Sequence, residues 1–365
     1  MNINSNSQNI DLQYESIADC AMVSIYNKRP YMFQKKVISH LLKMINYHLH
    51  PRAILVVQST GGGKSAIPQT TAVADGGVTI ILENTLALAA DQHSKIENIQ
   101  SDNVFSFHLD TVKTNDDKKQ LSSTIHSLLL RDNRLSILLF ASPECIVDDV
   151  WVKMIHKLIA DTLLKLVCVD EVHQFVEFGL TFRKSFMSLK DTLFKLLCVT
   201  ESQDKDSLLH TILKVPLLFM SATMNTSLVD LLQKIVGIQL SSNNIYWGDA
   251  TYFRKRNITI SSNYTTQYLR NVKLSIAALM KKDNNAKVII CSNTAKKLQN
   301  MQCSFDDWLN EVNIDGDSVL VVGDVKPELK YAYTIAFTRK STTIGNSNEQ
   351  NGGSFNPKFL FGTSG

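Results

Sequence analysis

Apolar residues fall into two rhythms along the chain. Short, nearly unbroken runs of Val, Ile, Leu and Phe occur at Ala53–Val57, Val78–Leu82, Val104–Phe107, Ser136–Phe140, Leu164–Val169 and Val215–Met220. Between them, apolar residues recur at helical spacing through Leu86–Ile96, Lys119–Leu130, Val152–Leu158 and Leu180–Leu196. A strand covered on both faces reads as a continuous apolar run, as in parallel sheets. Strand–helix repetition of this kind predicts a doubly wound α/β domain. Ahead of it, Val37, Ile38, Leu41, Leu42 and Ile45 lie on one face of a predicted helix, and residues 1–28 read as a polar lead-in with a short helical piece.

A second round begins after Tyr252: strand Ile258–Ile260, helix Tyr268–Met280, strand Lys287–Cys291, helix Ala295–Leu309, strand Ser318–Val322 and helix Pro327–Phe337. The segment Thr226–Trp247 has few strand signals and is expected to carry the linker. The Gly-, Asn- and Ser-rich stretch Ser341–Pro357 predicts an exposed loop, after which Lys358–Phe361 opens another strand. The expected domains are an N-terminal extension (1–28), a first α/β lobe (29–225), a linker (226–252) and a second, incomplete lobe (253–365).

Composition narrows this picture only slightly. The 365 residues are 44% hydrophobic and 20% charged, which is ordinary globular usage, and the net charge of +4 leans weakly towards an anionic partner. The six cysteines include no C-x-x-C pair, so reduced core thiols are expected rather than a metal or disulfide framework, with Cys168 and Cys291 inside apolar strands. The Asn- and Ser-rich start resembles no secretory signal. No apolar stretch approaches the roughly 18 residues that span a bilayer. An intracellular protein without a membrane partner is expected.

Two motifs carry chemistry. Ser59-Thr60-Gly61-Gly62-Gly63-Lys64-Ser65 directly follows the first apolar strand. Consecutive glycines let backbone N–H groups turn inward around a phosphate, and the helix that follows adds its positive dipole end. Lys64 would pair with the β- and γ-phosphates of ATP, and the Ser65 hydroxyl would hold Mg²⁺. Gln58 stands where the full Walker pattern has its first glycine. The plainer alternative is a Gly-rich turn with an exposed lysine. The second motif is Lys165-Leu-Val-Cys-Val-Asp170-Glu171-Val172-His173, an apolar strand ending in two carboxylates. Ligands of open α/β sheets bind at such strand ends. Asp170 would orient Mg²⁺ and Glu171 would polarise the attacking water. An acidic surface turn is the alternative for this pair taken alone.

The order of these and several shorter motifs resembles the superfamily 2 helicases. Arg29-Pro30-Tyr31-Met32-Phe33-Gln34 resembles their upstream motif, which implies that Gln34 reads the adenine edge. Val78 to Gln92 resembles the RecQ-type strand and loop touching the nucleic-acid backbone, through Leu88, Asp91 and Gln92. Ser142-Pro143-Glu144 resembles the T-P-E motif, and Ser221-Ala222-Thr223 matches the S-A-T motif, whose hydroxyls on Ser221 and Thr223 link hydrolysis to strand movement. The resemblance gives His173 the task of coupling the two sites. It also covers an aromatic-rich stretch, where Phe178, Gly179, Phe182, Arg183 and Phe186 follow the RecQ pattern, with Phe178 in place of its tryptophan. Aromatic faces there would stack on unpaired bases, with Arg183 adding charge; core packing is the alternative. Ser292 and Asn293 resemble the opening motif of a second RecA-like lobe, and Phe359–Gly365 resembles the start of the fifth motif.

The resemblance implies two RecA-like lobes, the second cut short before the arginine-bearing sixth motif and the four-cysteine zinc module of RecQ proteins. It implies ATP and Mg²⁺ as cofactors, and single-stranded or partly duplex nucleic acid as partner, DNA before RNA. The expected activity is ATP-dependent 3′–5′ DNA unwinding, in the nucleus of a eukaryote or otherwise the cytoplasm. An RNA helicase or duplex translocase is one alternative, and a fragment that binds ATP and nucleic acid without turnover is another. Oligomeric state stays open.

Overall fold

The computed structural model describes residues 3–49, 52–99, 101–132, 134–177, 188–200, 211–248, 268–283, 286–292, 295–312, 317–321 and 357–363. The chain divides into two compact units, Met1–Ile258 and Thr259–Gly365. The first unit is built on seven strands: β1 (Ala53–Val57), β2 (Gly77–Leu82), β3 (Val104–His108), β4 (Ser136–Ala141), β5 (Leu164–Val169), β8 (Leu217–Ser221) and β9 (Ile245–Trp247). They form one all-parallel sheet in the order β3-β4-β2-β5-β8-β1-β9. Between β5 and β8, Cys198–Thr200 (β6) and Thr211–Leu213 (β7) make a small antiparallel pair that the apolar pattern did not anticipate.

The helices of this unit are α1 (Ile3–Tyr26), α2 (Met32–Tyr47), α3 (Ala66–Asp75), α4 (Leu86–Glu97), α5 (Asn115–Arg131), α6 (Pro143–Ile146), α7 (Asp149–Ala160), α8 (His173–Glu177) and α9 (Thr226–Val236). Every residue of β1, β2 and β4 is buried, which is why these strands lack alternation. Side chains from one face join a core around Trp151, Phe194 and Phe219; those from the other join a core around Phe140, Ile38 and Leu41. Helices α5 and α7 start earlier than their apolar spacing predicted. Thr114 Oγ1 accepts from Asp117 N at 3.1 Å and Asp148 Oδ1 from Val150 N at 3.0 Å, so polar caps extend both helices past their apolar stripe. The helix expected over Leu180–Leu196 is described only in its last turns, where Lys190–Phe194 is π-helical.

Two expectations need correction. The polar lead-in is a 24-residue helix, and Tyr14, Ala18, Ala21 and Met22 are buried. Its apolar residues are too sparse to stand out in sequence, yet they cover one face of the sheet together with Val37, Ile38 and Leu41. The segment Thr226–Trp247 supplies α9, whose Val229, Leu232 and Val236 are buried, and the edge strand β9 beside β1. With only three residues, β9 gives too little apolar run to be recognised.

In the second unit, Tyr268–Lys282 (α10) and Ala295–Glu311 (α11) accompany three parallel strands: β10 (Val288–Ser292), β11 (Asp317–Val321) and β12 (Pro357–Thr363). The strand order is β10-β12-β11, so the strand expected from Lys358 lies between the other two. Leu298, Phe305 and Leu309 pack with Ile276 and Ile290. Cys291 was expected to be buried, but it is exposed, as is Ile289. Strand β10 alternates, burying Ile290 between them, as a strand at the edge of a three-stranded sheet does. The expected strand Ile258–Ile260 and helix Pro327–Phe337 lie outside the described residues.

If α1 belongs to the cooperative core, Met22→Ala should cost about 2–5 kcal/mol in chemical denaturation. A loss below about 0.5 kcal/mol would mark a helix lying on the surface.

Candidate nucleotide-binding site

All strands of the main sheet run the same way, so the turns after β1, β2, β5 and β8 gather along one edge. Val57 is paired with Ser221, Val169 with Phe219, and Leu82 with Val169. The phosphate loop, the two carboxylates and the Ser-Ala-Thr turn therefore leave three adjacent strands, β1, β5 and β8.

The loop has the backbone its sequence requires. Gly61 and Gly63 take φ values of 75° and 82°, which side chains rarely tolerate. A Cβ on Gly63 would come within 2.5 Å of Gln34 Nε2, and one on Gly62 within 2.6 Å of Gln58 Cγ and 2.9 Å of Ser59 O. Gln34 is itself fixed: its Oε1 accepts from Tyr31 N at 2.7 Å, and its Nε2 donates to Gly63 O at 2.8 Å. The structure thus ties Gln34 to the loop. Lys64 is buried, and its ammonium donates to Gln58 O at 2.8 Å. The residue at the departed Walker glycine thereby holds the lysine through its backbone. Ser65 directly precedes α3 without a side-chain capping hydrogen bond, while Thr60 is exposed at the loop tip.

Asp170 is buried. Burial first, and then the neighbouring Glu171 charge, push its carboxyl up to about 6, against a relieving hydrogen bond from Glu171 N. Glu171 is held below the usual range, chiefly by His173, whose Nδ1 is 3.2 Å from Glu171 Oε2. Glu171 has φ of 48°, an uncommon conformation for a residue with a side chain. The distortion is held on both sides, since Asp170 N donates to Leu82 O at 3.0 Å and Val172 N to Met220 O at 2.9 Å. His173 Nδ1 also lies 3.0 Å from Ser221 Oγ, which accepts from Thr223 N at 3.1 Å.

Two carboxylates at this edge were not anticipated. Glu83 follows β2 beside Asp170 and is 1% exposed; burial and the Asp170 charge push it well above the ordinary range. Within the Val78–Gln92 motif it passed for one more polar residue after a strand, and only its burial reveals it. Asp110 accepts from Ser142 N at 2.7 Å and Ser142 Oγ at 2.5 Å, so it orients the Ser-Pro-Glu turn. Burial opposes its ionisation, yet His108 and the Ser142 donors outweigh that and hold it low.

The expected nucleic-acid residues separate. Leu88 is exposed on α4, and Asp91 pairs with Lys95 one turn on. Gln92 points inward, 3% exposed and bonded to Gln69 and Glu83. Ser292 ends β10. Phe178, Phe182, Arg183 and Asn293 lie outside the described residues. Among the described residues, no helix is long and apolar enough to cross a membrane.

The residues at this edge suit a magnesium nucleotide: a side-chain-free loop beside a buried lysine, and buried carboxylates short of compensating positive charge. Residues 31–231 match the family model described as DEAD/DEAH box helicase. A Caenorhabditis briggsae protein named as an ATP-dependent DNA helicase Q1 is 27% identical over 198 residues, covering 54% of this chain and 28% of that protein. The ATP-dependent DNA helicase RecQ of Haemophilus influenzae is 26% identical over 147 residues, covering 40% of this chain and 22% of that protein. The chain thus spans about a quarter of the length of these relatives. Among solved structures, S. cerevisiae Dbp5 bound to RNA and ADP BeF3 superposes with a TM-score of 0.56 at 14% identity, over 94% of this chain and 73% of that one. This likeness is one of fold.

The raised Asp170 carboxyl has a consequence for stability. Between the ordinary value of 3.8 and about 6, the folded protein keeps a proton that the unfolded chain releases, so stability falls as pH rises through that window. Asp170→Asn should therefore raise the Tm of the nucleotide-free protein at pH 7.5 and lose that advantage near the unfolded carboxyl's pKa. A Tm that is lower or unchanged at pH 7.5 would show that the site tolerates this charge without cost.

Proposed function

The chain belongs to the DEAD/DEAH box helicase family, and from that premise we propose that it is an ATP-driven nucleic-acid motor of the RecQ branch. Its finer activity in this reading is 3′–5′ unwinding of DNA, driven by Mg²⁺-dependent ATP hydrolysis. The observation that carries the reading is the delivery of three motifs by three adjacent parallel strands to one edge of the sheet.

In this reading, backbone N–H groups of Gly61, Gly62 and Gly63 cradle the phosphates, and Lys64 exchanges the Gln58 carbonyl for phosphate oxygens. Ser65 and Asp170 hold the metal, which when bound offsets charge on the phosphates. Glu171 orients and polarises the attacking water, with its side chain steadied by His173. Gln34, already bonded to the loop, senses the adenine edge. Ser221 and Thr223 link this edge to movement, because Ser221 meets His173 through its hydroxyl and Gln58 through its carbonyl, which accepts from Gln58 N at 3.0 Å.

Preference for DNA draws on the names of the curated relatives, which are DNA helicases. Leu88 on the exposed side of α4, the aromatic residues Phe178 and Phe182 with Arg183, and Ser292 and Asn293 in the second unit are the proposed contacts to single strands. An RNA-acting enzyme of the same fold is the second reading, favoured by the RNA-bound Dbp5 structure. Nucleic-acid-stimulated ATPase, measured with DNA and with RNA, separates the two, and no stimulated turnover with either would leave a binding protein.

Lys64→Ala should abolish nucleotide binding and turnover together. Glu171→Gln should retain nucleotide binding while turnover falls by about 10²–10⁴-fold; hydrolysis at the parent rate would assign the water to another residue. Phe178→Ala and Phe182→Ala should each weaken single-stranded DNA binding by about 1–3 kcal/mol without lowering Tm. A lower Tm with DNA affinity intact would place these rings in the core.

A further inference from the structure

Glu83 has no part in the family's motif roles given above, yet it occupies an unusual place. It follows β2 at the level where Asp170 follows β5, because Leu82 and Val169 are register partners. Its Oε1 accepts from Gln92 Nε2 at 2.5 Å, while its Oε2 is buried with no hydrogen-bond partner among the described residues. No Lys, Arg or His among the described residues forms an ion pair with it. A buried polar atom left in this state destabilises the fold, and more so when charged. An apolar residue would be cheaper here unless a ligand satisfies the free oxygen.

Gln92 shows where that ligand sits. Its Nε2 is also 3.5 Å from Ser65 Oγ, the hydroxyl assigned to the metal. Its Oε1 accepts from Gln69 Nε2 at 2.7 Å, and Gln69 Oε1 in turn accepts from the Tyr26 hydroxyl. This chain of oriented donors runs from α1 through α3 and α4, and it fixes which way the Gln92 amide faces. Glu83 therefore has one oxygen clamped and the other left over, beside Asp170 and tied to Ser65.

We propose that Glu83 is a positioning carboxylate of the nucleotide site, accepting hydrogen bonds from the water shell of the divalent cation, with Gln92 as its clamp. This rests on the nucleotide reading above and adds a residue to it. The role assigned to Glu83 runs through water, leaving direct ligation to Ser65 and Asp170. Mg²⁺ suits such an arrangement, because it gives up its waters reluctantly and usually keeps several. Partners behind the direct ligands commonly tune metal affinity by about 10–100-fold.

The test is nucleotide affinity with and without the cation. Affinity for fluorescent ADP is measured in Mg²⁺ and in EDTA for the parent, Glu83→Gln, Gln92→Leu and Lys64→Ala. The electron paramagnetic resonance spectrum of Mn²⁺ with ADP is recorded for the same proteins. Glu83→Gln keeps an acceptor for Gln92 but loses the charge. The ratio of the two affinities should fall about tenfold, Gln92→Leu should lower it in the same direction, and the Mn²⁺ signal should change in both. Tm without nucleotide should be equal or higher in Glu83→Gln. A parental ratio with a parental Mn²⁺ spectrum overturns the proposal, as does a lower Tm with the ratio unchanged, which would mark a structural carboxyl. Should Lys64→Ala leave both affinities intact, the nucleotide reading itself fails and takes this proposal with it.

Discussion

Negative charge placed at the carboxyl edge of a buried parallel sheet is the constraint around which the first unit is arranged. Asp170, Glu171 and Glu83 leave neighbouring strands within a region where burial penalises ionisation. The buried cation at this edge, Lys64, rests on a backbone carbonyl. Its charge favours ionised Asp170 and Glu171, but the net shift of Asp170 remains upward. Such a site gains most when a cation and phosphates arrive together, since each offsets what the other leaves uncompensated. The cost in the free protein is the other side of that gain, as is usual where function asks for unfavourable placement.

Charge of this kind is useful only on a backbone that does not relax around it, and the local hydrogen bonds supply that rigidity. Glu171 keeps its left-handed conformation because the peptide groups on either side donate to β2 and β8. A residue in such a region costs about 1–3 kcal/mol and persists where its surroundings over-determine it. The phosphate loop is held comparably, by Gln34 at Gly63 and by Lys64 at Gln58. Stiffness comes from the fully buried strands beneath, whose side chains fill both faces of the sheet.

What was legible in the sequence follows from the range of the interactions concerned. Five of the six first-round strands could be read to within a residue at each end, because burial on both faces writes itself into a contiguous run. The phosphate loop and acidic motif were legible for the same reason, as each is a continuous stretch of chain. Glu83 was not, since its meaning comes from Asp170 on another strand and Gln92 on a helix. Gln92 itself illustrates the limit: sequence placed it in a nucleic-acid-facing motif, while the fold turns it towards Glu83 and Gln69. Helix α1 was under-read because an amphipathic stripe built from Tyr14, Ala18, Ala21 and Met22 is small, and Ala and Tyr carry little periodic signal.

Ser221 shows how a single strand end can connect these parts. Its carbonyl accepts from Gln58, the residue that holds Lys64; its hydroxyl meets His173, the residue that steadies Glu171. In the proposed reading Lys64 leaves Gln58 O for a phosphate, and any resulting movement of the Gln58 backbone reaches β8 through the bond from Gln58 N to Ser221 O. A shift of β8's end by a fraction of an ångström would then alter the His173 contact, because a hydrogen bond weakens steeply once its geometry departs from linear. Packed cores transmit such displacements instead of absorbing them. The connection needs no mobile element: three parallel strands in fixed register let the Ser221 carbonyl meet Gln58, where Lys64 rests, and its hydroxyl meet His173, which lies beside Glu171.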